Sequence, residues 1–426
     1  MDGVGAINNV KSKKDLYSLI LIWSSFFLYV TIFAAKTIFT AEIMVIQDAF
    51  GTTKAEASMA MTYYFIVYAI FQLILSVFMG KINLKIYLTL TAIGSAILTV
   101  LIPIMPSMSI IYILCAFNGA LQAGIYSGSM QNLSKYLDAK YLPVANKVMG
   151  FGSAVSNILS YGVPAIFVGF GAWKVPFFLM AGCVFLSAIF YFYSTNKMQQ
   201  FTAEKSIISN TIDTERPFIT LSKPSYKVLL FVFMAFICFL TYCVYYASLN
   251  WIPSLLKQVF LMPEEYSILI TICVPILLAI SSIILVNVCE KHKNLIMVSI
   301  VSRIMSLILI IPMIFFFDKS LLLTIIILGL FICFTASSQS IFLGIFAFKM
   351  RRQMNSGGYL AFANAFASLA AGVAPTVAGL IIDNAEGVAG YGNLYFILSI
   401  LTLLGLILMI VWEIGYSIKR KKKRDE

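Results

Sequence analysis

The chain has 426 residues, 61% of them hydrophobic and 11% charged, with a formal net charge of +12. Soluble domains carry about 25% charged residues, so the composition excludes an ordinary soluble enzyme and leaves no room for a sizeable aqueous domain. A helical crossing of the hydrocarbon core takes about 20 apolar residues, and this sequence supplies twelve such stretches in succession.

The predicted helices of the first half run over about 17–44, 55–80, 86–104, 108–134, 142–169 and 174–195. A polar link covers about 197–224, and the second half runs over about 225–259, 265–289, 294–316, 320–348, 354–382 and 391–416. The class that follows is an all-α membrane protein with twelve transmembrane helices in two six-helix halves. The expected organisation is an N-terminal half at 1–196, a cytoplasmic link at 197–224, a C-terminal half at 225–418 and a basic tail at 419–426.

Lys and Arg set the expected orientation, because cytoplasmic loops are enriched in them. With both termini inside, the outer loops hold four basic residues: Lys54, Lys174, Lys257 and Lys319. Lys36 and Arg303 fall inside helices, and the remaining 24 of the 30 lie on the cytoplasmic side. This asymmetry explains the net charge with no role for nucleic acid. The tail Lys419–Arg424 reads as a stop-transfer flank or as a contact for anionic lipid. The first apolar run is too long for the core of a cleavable signal peptide. The expectation is a multi-pass protein of the cell membrane, monomeric, with the bilayer and a small solute as its partners.

The seven Cys are scattered through helices without metal-ligand spacing, and the single His292 falls in a loop. No metal site and no cofactor is expected. The sequence also has no Gly-rich phosphate loop and no Ser-His-Asp set, so an ATP-driven pump or a membrane enzyme has little support.

The two halves repeat each other. At an offset of 211, Gly150-Phe151-Gly152-Ser153-Ala154 falls on Ala361-Phe362-Ala363-Asn364-Ala365, and Pro164 on Pro375. At 217, Phe117 and Gln122 match Phe334 and Gln339; at 210, Phe50 matches Phe260. Each match is weak, but their order and near-constant offset point to duplication. Two six-helix halves related by a pseudo-twofold axis along the membrane normal resemble the major facilitator superfamily, one of the parallel-repeat designs. The resemblance implies alternating access, with substrate held near the midplane between rocking halves. The small residues Gly150, Gly152, Ser153, Ala361 and Ala363 permit close helix contact. They are expected at a conformational interface, with predicted helices 5 and 11 packing beside helices of the opposite half.

Four segments sharpen the resemblance: Lys36-Thr-Ile-Phe-Thr-Ala-Glu, Asn250-Trp251-Ile252-Pro253-Ser-Leu-Leu, Gly171-Ala-Trp-Lys-Val-Pro-Phe-Phe and Met354-Asn-Ser-Gly-Gly. They are similar to the organophosphate:phosphate antiporter and anion:cation symporter branches. The antiporter resemblance implies a pair of arginines, on the first and seventh helices, that hold a phosphate. The corresponding positions here are Ala35 and Tyr245. The loop that in this superfamily reads Gly-x-x-x-Asp-Arg is Gly80-Lys-Ile-Asn83-Leu-Lys85.

A charge in mid-membrane costs at least about 2.5 kcal/mol on the insertion scale, so Lys36, some 20 residues into the first helix, is the leading candidate. Tyr29, Ile32, Phe33 and Thr40 share its face at helical spacing. Lys36 reads as a counter-ion for an anionic substrate; the alternatives are snorkelling to the interface or pairing with Glu42. Arg303, on a helix that the resemblance implies is peripheral, reads as snorkelling or as bonded to a neighbouring helix. Tyr242, Tyr245, Tyr246 and Asn250 form one face of the seventh helix, with Tyr246 the repeat mate of Lys36 at an offset of 210. Gln122, Tyr126, Asn157, Gln339 and Asn364 complete the candidate polar lining, about half of which should serve interhelical hydrogen bonds.

These observations point to a secondary transporter of a small organic anion, a carboxylate or a sugar-phosphate-like solute. A transporter of a neutral polar solute and a non-transporting ligand sensor of the same fold are the alternatives.

Overall fold

The computed structural model describes residues 2–138, 140–206, 226–291, 295–341 and 356–425. No strand occurs among the described residues. The first predicted crossing folds as α1 (Asp2–Ala41) followed by a short α2 (Ile43–Phe50), the second as α3 (Lys54–Phe78) and the third as α4 (Leu84–Leu101). The fourth is divided into α5 (Met108–Gln122) and α6 (Ile125–Tyr136); α7 (Leu142–Val168) and α8 (Val175–Ser206) complete the half. The second half comprises α9 (Tyr226–Asn250), α10 (Ile252–Phe260), α11 (Glu264–Thr271), α12 (Cys273–Lys291), α13 (Leu295–Phe316), α14 (Leu321–Ser340), α15 (Ser356–Asp383) and α16 (Ala389–Asp425).

Among the described residues ten helices are long and apolar enough to cross a membrane. The pair Ala235–Asn250 and Ile252–Phe260, bent by 42°, makes an eleventh. The remaining predicted crossing is the one divided between α11 and α12. The predicted link is helical at its start, where α8 continues to Ser206. The rest of the link lies outside the described residues, as do His292, Lys349, Arg351 and Arg352.

The breaks follow the repeat. α1 gives way to α2 at Glu42 (φ −98°, ψ 12°), and α9 gives way to α10 at Trp251 (φ −102°, ψ 3°). Pro253 accounts for the second break, since proline inside a helix removes a backbone donor and crowds the preceding turn. Each short helix then ends on a left-handed residue, Gly51 (φ 62°) and Leu261 (φ 51°), which are 210 positions apart. The next helices start from Thr53 and Pro263, again 210 apart. Thr53 caps α3 with a reciprocal Glu56 bond, the arrangement that satisfies two otherwise orphaned donors.

The main contacts between the halves run along α3 against α15 and along α7 against α11 and α12. Small residues allow the first of these. A Cβ on Gly379 would come within 2.9 Å of the Ala55 nitrogen, and one on Gly372 within 3.2 Å of the Thr62 Cα. Polar bonds between the halves gather at one end of the bundle, where the turns at 51–53, 261–263 and 384–388 lie. There Lys54 pairs with Asp383 at 3.3 Å, and the Ala55 N–H donates to the same carboxylate at 3.0 Å. The Thr62 hydroxyl donates to the Gly372 carbonyl at 2.7 Å and lies 2.6 Å from the Thr376 hydroxyl. Lys257 bridges Asp48 and Glu264. Ile43, Met44 and Ala57 of the first half are buried in the core of the second, and Ala371 is buried in the core of the first. The described conformation is therefore closed at this turn end. At the opposite end the bonds of the first half stay within it: Lys14 with Asp138, Lys140 with Asp15, and Lys85 with Asn196.

Candidate functional site

Lys36 lies on α1 five residues before the end of its apolar span. Its Nζ stands 3.9 Å from the centroid of Phe33, 5.2 Å from Phe65 and 6.0 Å from Tyr68. Such cation–π contacts stabilise an ammonium by about 0.5–2 kcal/mol, most when water is excluded. No described carboxylate forms a salt bridge with Lys36. The pairing with Glu42 considered from sequence does not form. The Glu42 carboxylate is fully buried with neither oxygen hydrogen-bonded. Snorkelling does not describe Lys36 either, because its head is turned onto rings of α1 and α3.

The rings continue in both directions. Tyr29 lies 5.9 Å from Phe33 and 4.9 Å from Tyr126 of α6. On the other side Phe65 lies 6.0 Å from Tyr246 of α9, which stacks on Tyr242 at 5.8 Å and meets Tyr245 edge-on at 5.0 Å. An aromatic wall thus runs from α6 through α1 and α3 to α9 and joins the two halves. The repeat mates Lys36 and Tyr246 both border the same ring, Phe65. Phe65 and Tyr68 were not singled out from sequence. Their signal was the cluster Tyr64, Phe65 and Tyr68 on the predicted second helix, whose spacing also suits a lipid-facing or core stripe.

Gln122 is placed elsewhere. It accepts from the Tyr64 hydroxyl at 2.6 Å and donates to Ser95 and Asn118 at 2.8 and 3.0 Å. This buried network ties α3, α4 and α5 inside the first half and uses both ends of the amide. Asn157 and Asn364 are half-buried on α7 and α15, and Asn250 is buried just before the α9 break. The side chains of Gln339 and Ala361 lie outside the described residues.

The small residues of α7 and α15 pack differently from the expectation. A Cβ on Gly152 would fall 2.5 Å from the Tyr29 ring, and the Ser156 hydroxyl donates to the Val30 carbonyl at 3.0 Å. Gly152 therefore admits α1 of its own half. Gly150 has open space where a Cβ would stand, and Ser153 is half-buried. Ala363 is buried with Ile237, Ile300 and Leu406 of its own half. In this conformation the opposite half is met by Gly372 and Gly379, farther along α15, and by Gly162 of α7, where a Cβ would lie 3.5 Å from Ile272.

Arg303 is fully buried. Its Nη2 donates to the Thr241 hydroxyl of α9 and lies over Gly405 of α16. It bonds a neighbouring helix, as one of the two sequence readings had it. A separate cleft of about 230 Å³ opens between α7 and α11, lined by Ala165, Phe170 and Glu265 among others. None of the rings around Lys36 lines it. No group of His, Cys, Asp and Glu able to hold a metal occurs among the described residues.

The fold is shared with solved transporters of low sequence identity. A bacterial homolog of the human lysosomal transporter Spinster, inward-facing and occupied, superposes with a TM-score of 0.72 at 12% identity, over 93% of this chain and 96% of that one. The nucleoside transporter NupG gives 0.67 at 13%, over 93% and 98%. A D-xylose-proton symporter gives 0.69 at 12%, over 92% and 97%. Comparison with curated protein sequences finds no match. The sequence model described as Major Facilitator Superfamily matches residues 22–354, and on that match, carried by a fold of two six-helix halves, the chain belongs to the Major Facilitator Superfamily.

Proposed function

We propose that this chain is a secondary transporter that moves a small organic anion by alternating access, with Lys36 as the substrate's counter-ion. The observation that carries the reading is the Lys36 ammonium. It sits inside a spanning helix, has no carboxylate partner among the described residues, and is ringed by aromatic side chains that lead into both halves. A charge held at such cost within a membrane helix marks a substrate or ion path. The substrate would sit against Lys36, Tyr29, Tyr126, Tyr242, Tyr245 and Tyr246, with Asn157, Asn250 and Asn364 as further polar contacts.

The basic-residue asymmetry supports a cell-membrane protein with both termini in the cytoplasm and the turn end outside. On that orientation the described conformation is closed toward the outside. The likeness to the organophosphate:phosphate and anion:cation branches supports an anion, and the division at 197–224 supports two halves that move as units. The tyrosine hydroxyls favour a second reading, a neutral polar solute. The likeness to a nucleoside transporter and a xylose symporter agrees with it.

Flux into proteoliposomes tests the proposal. Purified protein should accumulate a labelled organic anion, and Lys36→Ala should abolish this while remaining folded in the membrane. Equal flux in the variant would remove Lys36 from the site. Binding without flux would make the protein a sensor.

A further inference from the structure

We infer that the site selects a monoanion with a flat, unsaturated or aromatic body, an aryl-carboxylate-like solute, over a phosphate ester or another dianion. The inference rests on the reading of Lys36 as counter-ion and narrows it through two properties of the site: how much positive charge it holds and the shape of its walls.

Among the described residues the positive charge at these rings amounts to one ammonium. Lys54 and Lys257, the basic residues of the closed turn end, are already engaged by Asp383, and by Asp48 and Glu264. Arg303 is sealed in the core of the second half against Thr241 and Gly405. Among the described residues no second cation joins Lys36 beside Phe33, Phe65 or Tyr68. A monocarboxylate is matched in charge by Lys36. A phosphate monoester carries up to two negative charges, and the second would be taken out of water with nothing to offset it. Phosphate clasps elsewhere use the two-pronged geometry of arginine, which a single ammonium lacks.

The walls are aromatic faces and edges. Phe33, Phe65 and Tyr68 surround the ammonium, Tyr29 and Tyr126 extend one side, and Tyr246 extends the other. Rings at centroid spacings of 4.9–6.3 Å favour offset-stacked or edge-on contact with a further ring. A saturated body of the same volume gains the burial but not that geometry. With its carboxylate on the Lys36 ammonium, a planar acid would lay its body along the wall toward Tyr29 or Tyr246.

Full-length protein in nanodiscs can be titrated with five probes by calorimetry: benzoate, cyclohexanecarboxylate, phenyl phosphate, benzamide and acetate. Benzoate should bind at least about tenfold tighter than phenyl phosphate, cyclohexanecarboxylate and acetate, a margin within what one well-placed group confers. Phenyl phosphate binding as tightly as benzoate would overturn the single-charge argument and leave the anion reading standing. Equal binding of cyclohexanecarboxylate would overturn the planar-body argument. Benzamide binding as tightly as benzoate would instead sink the anion reading itself. Binding of none of the five would overturn the inference. Phe65→Leu supplies an independent check. It should narrow the preference for benzoate over cyclohexanecarboxylate and leave the preference over phenyl phosphate in place; loss of neither preference would remove Phe65 from the site.

Discussion

The two halves interrupt their leading helix at matching places and put different chemistry there. In the first half the residue at the break is Glu42, fully buried, with no partner for either oxygen. In the second it is Trp251, equally buried, whose Nε1 donates to the Pro375 carbonyl at 2.9 Å. The pattern recurs one turn and a half earlier, where Lys36 and Tyr246 are mates, and at the helix ends, where Gly51 and Leu261 share a left-handed conformation. Duplication has kept the backbone path, which packing of the whole half depends on. The side chains have diverged, so that where the first half carries the Lys36 ammonium the second carries the Tyr246 ring.

The largest expected effect tests whether the halves must meet at the turn end. In Gly379→Leu a side chain would stand where the Ala55 nitrogen and the Lys54 carbonyl carbon are 2.9 and 3.0 Å from the Cβ position. Backbone cannot yield as a flexible side chain does, so the turn end should fail to close. Transport should be lost, and cysteines placed near Lys36 should react from the turn end in the variant but not in its parent.

Next comes the mate pair. Lys36→Ala should weaken anion binding by roughly 10- to 150-fold, the equivalent of one charge-assisted hydrogen bond of about 1.5–3 kcal/mol. The exchange Lys36→Tyr with Tyr246→Lys should restore part of the loss, because both positions border Phe65. A double variant no better than Lys36→Tyr alone would show that the site is not symmetric about that ring.

The breaks themselves give a smaller, opposed pair. Trp251→Phe removes the indole bond to the Pro375 carbonyl, which keeps its place in the helix ladder, and should cost about 0.5–1.5 kcal/mol, read as a lower Tm. Glu42→Gln removes a potential charge that nothing opposes and should leave Tm unchanged or raise it. A marked loss in Glu42→Gln would mean that the carboxylate has a structural partner. Smallest is the pair of left-handed caps. Leu261→Gly should stabilise by up to about 1 kcal/mol, since a branched side chain in that conformation is strained. Gly51→Ala should destabilise by a similar amount.

Much of this architecture was legible in the sequence, because a bilayer imposes a length on every crossing. The twelve apolar stretches, the offsets near 210 and the prominence of Lys36 could all be read directly. The partners of the small residues could not. Gly152 announces a close approach, but whether it admits Tyr29 of its own half or a helix of the other depends on how the helix is rotated. Gln122 illustrates the same limit, since a buried amide serves a network as well as a solute, and here Tyr64, Ser95 and Asn118 use it fully. Phe65 and Tyr68 escaped notice for the converse reason: aromatic residues are so common in these helices that a cluster ringing one ammonium has no distinctive spacing. Arg303 shows that depth along a helix does not fix exposure, since a charge placed to snorkel is instead sealed against Gly405.

The hydroxyl contacts of Thr62 and Ser58 with Thr376 and the Gly372 carbonyl carry a further consequence. Each joins groups that water satisfies almost as well, so parting the halves at this end exchanges protein bonds for hydration. Opening must therefore draw water into the gap, and the step has a stoichiometry in water as well as in substrate. Osmolytes too large to follow, such as sucrose, are excluded from newly wetted surface and favour the compact form. Raising their concentration should hold the protein in its described conformation and slow turnover in proportion to the water that the opening takes up.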